Sequence, residues 1–268
     1  MFWASFVWQS RNVSLVNYYS NATSDDQYST TNTDGYDSWN SDTMLIENAT
    51  ITTDDDCVAP KGNTTNLHVK NVTCHGGAGM TIGSVGQYAD TPDYVYNVTF
   101  ENVRCLNSGD CAYIKTWQGD VLNSTTNGDG GGGGSGIVKN ITFRNFELEN
   151  VGLPIQISQC IYAGRGGVGC NTSKIAIEDV HWLNFTGTSR YNIAASLYCS
   201  EIHPCPGVTF ENVNIAGLNQ SLGLPFWNTS IQYEVYQCSN ILDQQLSGIP
   251  CNRAAPDFFS QGVSENIQ

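Results

Sequence analysis

The phrase "NLHVKNVTC" (66–74) decides how the chain is read, because it returns as "MLIENATIT" (44–52), "NVTFENVRC" (97–105), "NITFRNFEL" (140–148), "KIAIEDVHW" (174–182) and "GVTFENVNI" (207–215). Each copy alternates β-branched or aromatic residues with polar ones, the pattern of a half-buried strand. An Asn or Asp stands near the middle of each. With Asn48, Asn71, Asn102, Asn145, Asp179 and Asn212 as markers, the copies are 23, 31, 43, 34 and 33 residues apart. The shortest interval suits one turn of a parallel β-helix, and the longer ones suit the same turn carrying loops. One coil cannot bury its apolar positions alone, so coils stack and share a continuous core. Asn and Asp at equivalent corners accept turn conformations and can hydrogen-bond along the stack. A β-sandwich also has short strands at regular intervals, but its turns recur every 8–12 residues or so, without a repeated phrase. The pattern predicts an all-β parallel β-helix.

Working outward, the whole chain of 268 residues reads as one domain, with coils over 1–215 and a cap or tail over 216–268. The glycine-rich run "NGDGGGGGSG" (127–136) reads as a flexible, solvated insertion between coils. With 40% hydrophobic and 13% charged residues the chain suits a compact fold, and its net charge of −14 repels nucleic acid and anionic membrane surfaces. No apolar run is long enough to span a bilayer.

Ten cysteines and twelve N-x-[ST] sequons point to a secreted, oxidised, glycosylated protein. The sequons are Asn12, Asn21, Asn48, Asn63, Asn71, Asn97, Asn123, Asn140, Asn171, Asn184, Asn219 and Asn228. Pairing sequence neighbours gives the simplest disulfide set: Cys57–Cys74, Cys105–Cys111, Cys160–Cys170, Cys199–Cys205 and Cys238–Cys251. No CxxC occurs, and His68, His75, His181 and His203 do not fall at metal-ligand spacing with cysteines, so no metal and no cofactor is expected. The opening "MFWASFVWQSRNVSL" has neither the basic nor the apolar region of a signal peptide. That start leads us to expect earlier coils and a signal peptide upstream of Met1.

Two acidic groups could carry chemistry, "NTDGYD" (32–37) and "TDDDCVAPK" (53–61). Asp34 and Asp55 are separated by nearly one coil, which predicts that they stack on one face of adjacent coils. Like charges so placed need water, a cation or a substrate between them. The calcium-loop pattern D-x-[DN]-x-[DN]-G is absent. Glycoside hydrolysis requires an acid for the leaving oxygen and a base for water, about 6.5–9.5 Å apart for inversion. The stretch "CHGGAGMTIGS" (74–84) matches neither phosphate-binding glycine pattern and reads as a tight corner that a sugar chain could approach.

The ordered set "NTDG", "DDC", "GxG" followed by "IGS", and "IK" in "AYIKTW" (112–117) resembles the family 28 glycoside hydrolases, the polygalacturonases and rhamnogalacturonases. "GSVGQY" (83–88), "LPIQISQC" (153–160) and "CSEIHPCPGVTFENV" (199–213) resemble segments of its fungal exo-acting members, so the likeness spans nearly the whole chain. The resemblance implies a right-handed β-helix and an inverting, exo-acting hydrolysis of α-linked galacturonic acid in galacturonan or rhamnogalacturonan, by a monomer. It makes Asp55 the general acid, gives the water to Asp34 and Asp56, and gives a substrate carboxylate to Lys115. Two departures stand out. Where the family has "GHG" and "RIK", this chain has Gly77-Ala78-Gly79 and Tyr113-Ile114-Lys115. Losing a guanidinium removes bidentate carboxylate binding and favours a less acidic sugar there, with the Tyr113 ring packing on an apolar sugar face. His75 is the nearest substitute imidazole, and Tyr162 in "QCIY" stands near the family's later tyrosine. The alternatives are a rhamnogalacturonan hydrolase with rhamnose on the leaving-group side, or a non-catalytic carbohydrate-binding relative.

Overall fold

The computed structural model describes residues 3–24, 30–121, 130–161, 170–217 and 234–255. It is a right-handed parallel β-helix. One sheet, here called A, stacks β1 (Phe6–Trp8), β4 (Tyr36–Trp39), β6 (Val58–Pro60), β8 (Met80–Val85), β10 (Asp110–Thr116), β12 (Leu153–Ser158), β14 (Ile193–Tyr198), β16 (Val235–Ser239) and β17 (Arg253–Ala254) in that order. The other, sheet B, stacks β2 (Arg11–Val16), β5 (Asp42–Thr52), β7 (Thr64–His75), β9 (Asp93–Leu106), β11 (Ser135–Val151), β13 (Lys174–Ser189) and β15 (Val208–Gly217). A short β3 (Tyr19–Asn21) pairs with β5. Sheet A continues past the boundary expected at residue 215, because β16 and β17 go on adding coils.

The long strands of sheet B bend at their asparagines. Asn17, Asn48, Asn71, Asn102, Asn145, Asn184 and Asn212 all have φ near +55°, the left-handed corner that Asn tolerates better than most residues. Their side chains form one ladder, with Nδ2 of each donating to Oδ1 of the Asn one coil earlier. Parallel register puts Asp179 in a second row five residues earlier, beside Asn140 and Asn97. The marker chosen from sequence in that coil was therefore the wrong corner, and Asn184 is the true rung. Two rows five residues apart carry the same residue type, so spacing alone could not separate them.

Five of the sequons are also rungs. At Asn48, Asn71, Asn97, Asn140 and Asn184, the corner is followed by a buried residue (Ala49, Val72, Val98, Ile141, Phe185) and then an outward Thr. Corner, inward residue and outward Thr spell N-x-T by themselves, so these five copies do not count as evidence of glycosylation. Asn63 likewise donates to Asn40. Asn123, Asn219 and Asn228 lie outside the described residues.

Inside the coils, Phe100, Phe143 and Trp182 stack at 5.0 and 5.7 Å between centroids, and Phe146 stacks on Phe185 at 4.5 Å. Such stacks add about 0.5–1.5 kcal/mol per pair beyond burial. The five disulfides join the expected neighbours, Cys57–Cys74, Cys105–Cys111, Cys160–Cys170, Cys199–Cys205 and Cys238–Cys251. The described end of the glycine-rich run is not a free loop. Gly132, Gly133 and Gly134 donate backbone hydrogen bonds to Gln87, Gln118 and Gly86, and a Cβ on Gly132 would meet the Asp120 carbonyl at 2.3 Å. Those residues are glycine because other loops press against them.

Candidate active site

The carboxylates gather where the chain passes from sheet B into sheet A. β5 ends at Thr52, and the turn carrying Asp54, Asp55 and Asp56 leads into β6. Three contacts hold that turn. The Thr53 hydroxyl donates to the Thr33 carbonyl at 2.7 Å, the Asp55 amide donates to the Thr53 hydroxyl at 3.1 Å, and Cys57 is bridged to Cys74 on β7. The glycine corner after β7 lies directly against it: Ala78 N–H donates to the Asp55 carbonyl at 3.1 Å, and a Cβ on Gly77, whose φ is +58°, would sit 1.8 Å from that oxygen. The close approach read from "CHGGAGMTIGS" is therefore real, but the partner is the acidic turn itself.

Asp34, Asp55 and Asp56 each place an oxygen within 4.8 Å of the others. The register of β4 on β6 pairs Tyr36 with Val58, which sets Asp34 beside Asp56 rather than beside Asp55. These nearest oxygens lie closer together than the 6.5–9.5 Å or so expected for an acid and base across a water. Asp55 accepts from the Asn32 amide at 3.0 Å and from the Asp56 amide at 2.8 Å. Asp56 accepts from Lys115 Nζ at 2.8 Å through Oδ2, while its Oδ1 is buried with no hydrogen-bond partner among the described residues.

Two lysines, Lys115 buried and Lys61 half-buried, answer the negative charge. Lys115 stands on β10, with Nζ 5.8 Å from the Tyr113 ring centroid. Lys61, which the sequence reading did not single out, places Nζ 2.7 Å from Asp37, 3.6 Å from Asp34 and 4.9 Å from the centroid of the Trp3 ring. Strand alternation was the available signal, since Ala59 and Lys61 follow "DDC" on one face of the sheet. Burial alone would lower both ammoniums. Asp56 and Asp55 outweigh it and hold Lys115 well above its usual range, and Asp37 and Asp34 raise Lys61.

Burial, joined by repulsion from Asp56, Asp37 and Asp55, pushes Asp34 up to about 9. Burial raises Asp37 to about 6 against the pull of Lys61. Asp55 is raised as well, by burial first and Asp56 second, with Lys115 opposing. One carboxyl here is held neutral and able to give a proton, next to another that accepts a hydrogen bond from an ammonium.

Other expected residues fall outside the cluster. Tyr113 is on the same outward face of β10 as Lys115 but only 2% exposed, so its ring cannot stack on a sugar. The reason is its position on the floor, where β8 and β12 flank it with Thr81 and Gln156. His75 ends β7, paired with Thr52 and Leu106, and is not among the side chains that converge on the carboxylates. Tyr162 lies outside the described residues. A groove of about 590 Å³ also runs beside the asparagine ladder, along Thr73, Arg104 and Glu147 on sheet B, remote from these carboxylates.

The model of the family described as "Glycosyl hydrolases family 28" matches residues 3–230. A candidate galacturan 1,4-alpha-galacturonidase A of Aspergillus niger is 37% identical over 277 residues, covering 94% of this chain and 59% of that protein. Exopolygalacturonase X of the same species is 40% identical over 188 residues, covering 68% of this chain and 42% of that protein. The chain spans about half the length of the curated relatives it matches. Among solved structures, endo-xylogalacturonan hydrolase from Aspergillus tubingensis superposes with a TM-score of 0.74 at 25% identity, covering 91% of this chain and 59% of that one.

Proposed function

The chain belongs to the glycosyl hydrolases family 28, and on that premise we propose that it is the catalytic β-helix of a secreted, monomeric pectin hydrolase that releases galacturonic acid from the end of an α-linked pectic chain. The observation that carries this reading is the meeting of Asp34, Asp55 and Asp56 in one cluster with Lys115. Exo action is supported by the exopolygalacturonase and galacturonidase names of the relatives.

In this mechanism Asp55, raised by burial, is the acid that protonates the departing glycosidic oxygen. Asp56 is the base that takes the water proton: its Oδ2 is held by Lys115, and its buried Oδ1 has no hydrogen-bond partner among the described residues. Asp34, pushed up to about 9, is neutral at acidic and neutral pH, so it orients the water rather than deprotonating it. Lys115 orients Asp56 and meets a substrate carboxylate. The stereochemistry is where two arguments part. The family resemblance implies inversion, whereas carboxyls within 4.8 Å are spaced as in a retaining pair. Three carboxyls sharing one water give inversion without the wider gap, and NMR of the first-formed anomer decides.

A second reading, a rhamnogalacturonan hydrolase with a neutral sugar on the leaving-group side, rests on Ala78 and on Tyr113 standing where the family has cation-bearing side chains. With Tyr113 buried, only the missing charge supports it. Incubation with galacturonan and with rhamnogalacturonan, followed by identification of the sugars released, tests both. Galacturonic acid from galacturonan is the expected product, rhamnogalacturonan fragments alone favour the second reading, and no sugar from either polymer overturns both.

A further inference from the structure

The outward face of sheet A does not end at the carboxylates. Trp39 follows Asp37 by two residues on β4 and so shares its face, about 7 Å farther along the strand. Its register neighbour on the next coil is Lys61, because β4 and β6 pair Ser38 with Pro60. From the coil beyond that, Tyr88 turns back after β8 and lays its ring parallel to Trp39, with centroids 6.3 Å apart and 6° between planes. Tyr88 is 47% exposed. In the earlier coil, Trp8 pairs with Trp39 in register and is 56% exposed. The carboxylates thus line the side at which sheet A strands begin, and an aromatic wall lines the side at which they end. Lys61 stands on the floor between them.

We propose that Trp39 and Tyr88 form a sugar-stacking subsite that takes the apolar face of a pyranose ring in the same pectic chain whose bond is placed at Asp55. This inference rests on the hydrolase reading above. Stacking on Trp39 holds the exposed Tyr88 ring in a fixed plane, which leaves an aromatic face about as wide as a pyranose, and the C–H face of a sugar leaves little polar surface to desolvate against it. Continuity with the carboxylate cluster fixes the occupant. The surface adjoins Lys61, whose ammonium lies 2.7 Å from Asp37 within a chain of net charge −14, so a uronate ring meets a cation there rather than the general field of the protein. The tyrosine of "GSVGQY", read from sequence only as a family-like segment, thereby gains a role.

The test uses trigalacturonate and a rhamnogalacturonan tetrasaccharide as probes. Tryptophan fluorescence of Asp55→Asn protein is titrated with each, and KM and kcat are measured for otherwise native protein carrying Trp39→Ala, Trp39→Phe or Tyr88→Ala. The inference expects a fluorescence change on binding that Trp39→Ala abolishes. It also expects KM to rise five- to tenfold in Trp39→Ala and Tyr88→Ala with kcat within twofold, and Trp39→Phe to restore most of the loss. Should Trp39→Ala not fold, Tyr88→Ala and Trp39→Phe still decide through their KM values. Native protein that cleaves the probes with KM unchanged in Tyr88→Ala and Trp39→Ala overturns the subsite alone. Equal losses of kcat and KM in proteins that melt normally also overturn it, and native protein that neither binds nor cleaves overturns the hydrolase reading instead.

Discussion

On sheet B, Asn102 gives one amide hydrogen bond to Asn71 and receives one from Asn145; on sheet A, Asp56 receives one from Lys115 and leaves its second oxygen with none among the described residues. The same coils build both faces. Along the ladder every polar group repeats, so each coil satisfies the next and the sequence is obliged to repeat with it. Along the carboxylate face nothing repeats. Each coil contributes a different residue, and the charges are balanced only as a group. A solenoid lets stability lie in its repeating face and chemistry in its irregular one, because nearest-neighbour stacking on one side holds the other in place.

The largest expected effect separates the two. Asp55→Asn keeps the turn's size and one of its two hydrogen-bond acceptors but removes the acid, so hydrolysis should fall about 10²–10⁴-fold. Its melting temperature should change little, since removing a carboxyl disfavoured by burial offsets the loss of one backbone hydrogen bond. Steady-state rates and calorimetry on one preparation check both halves. Phe143→Ala is the mirror experiment. It opens the Phe100–Phe143–Trp182 stack and should cost about 3–5 kcal/mol, near 10 °C in Tm for a chain of this size, while KM and kcat of the folded fraction stay put. Loss of activity in the folded fraction would show that the faces are coupled.

The contrast also explains what the sequence could reveal. The fold was legible from the Asn-centred phrases because a ladder demands the same residue at the same place in every coil. The sequon count carries less weight for the same reason: Asn48-Ala49-Thr50 and Asn71-Val72-Thr73 are what a corner and an alternating strand produce, whether or not they are glycosylated. The carboxylates were legible in part: the near-coil interval from Asp34 to Asp55 put them on adjacent coils, whereas their separate roles came only through family resemblance. Lys61 stayed hidden because its partners Asp37 and Asp34 are more than 20 positions away and meet it only after one full turn. Tyr113 was placed on the correct face, but whether neighbouring strands bury a side chain is a tertiary fact that its own strand does not contain.

Acidity sharpens the comparison further. Asp34 at about 9 and Asp37 at about 6 keep protons in the fold that an unfolded carboxyl releases near 3.9 or so. A raised folded value stabilises fully below the unfolded one and loses that contribution as pH climbs. Tm should therefore decline from pH 4 upward, through about 6 on account of Asp37 and on toward 9 on account of Asp34. Asp34→Asn cannot lose a proton, so its Tm profile should be flatter and should exceed the parent by roughly 3 °C at pH 8, converging with it near pH 4. A variant that melts lower than its parent at pH 8 would mean that Asp34 is ionised and held by Lys61, and the water-orienting role would pass to a charged group.

The smallest effect tests what the ladder asparagines supply. Asn102 has φ of +55°, a conformation that costs an ordinary L residue about 1–2 kcal/mol but costs glycine almost nothing. Asn102→Ala loses both ladder hydrogen bonds and takes on that strain, whereas Asn102→Gly loses only the hydrogen bonds. These lie on an exposed edge, where water replaces much of what is lost. Urea unfolding should place Asn102→Gly within about 1 kcal/mol of the parent and Asn102→Ala about 1 kcal/mol below the glycine variant. Equal losses would mean that the side-chain ladder, not the left-handed corner, selects asparagine. In that case every rung of sheet B would carry weight through its amide, and the repeating phrase would be a record of hydrogen bonding rather than of backbone shape.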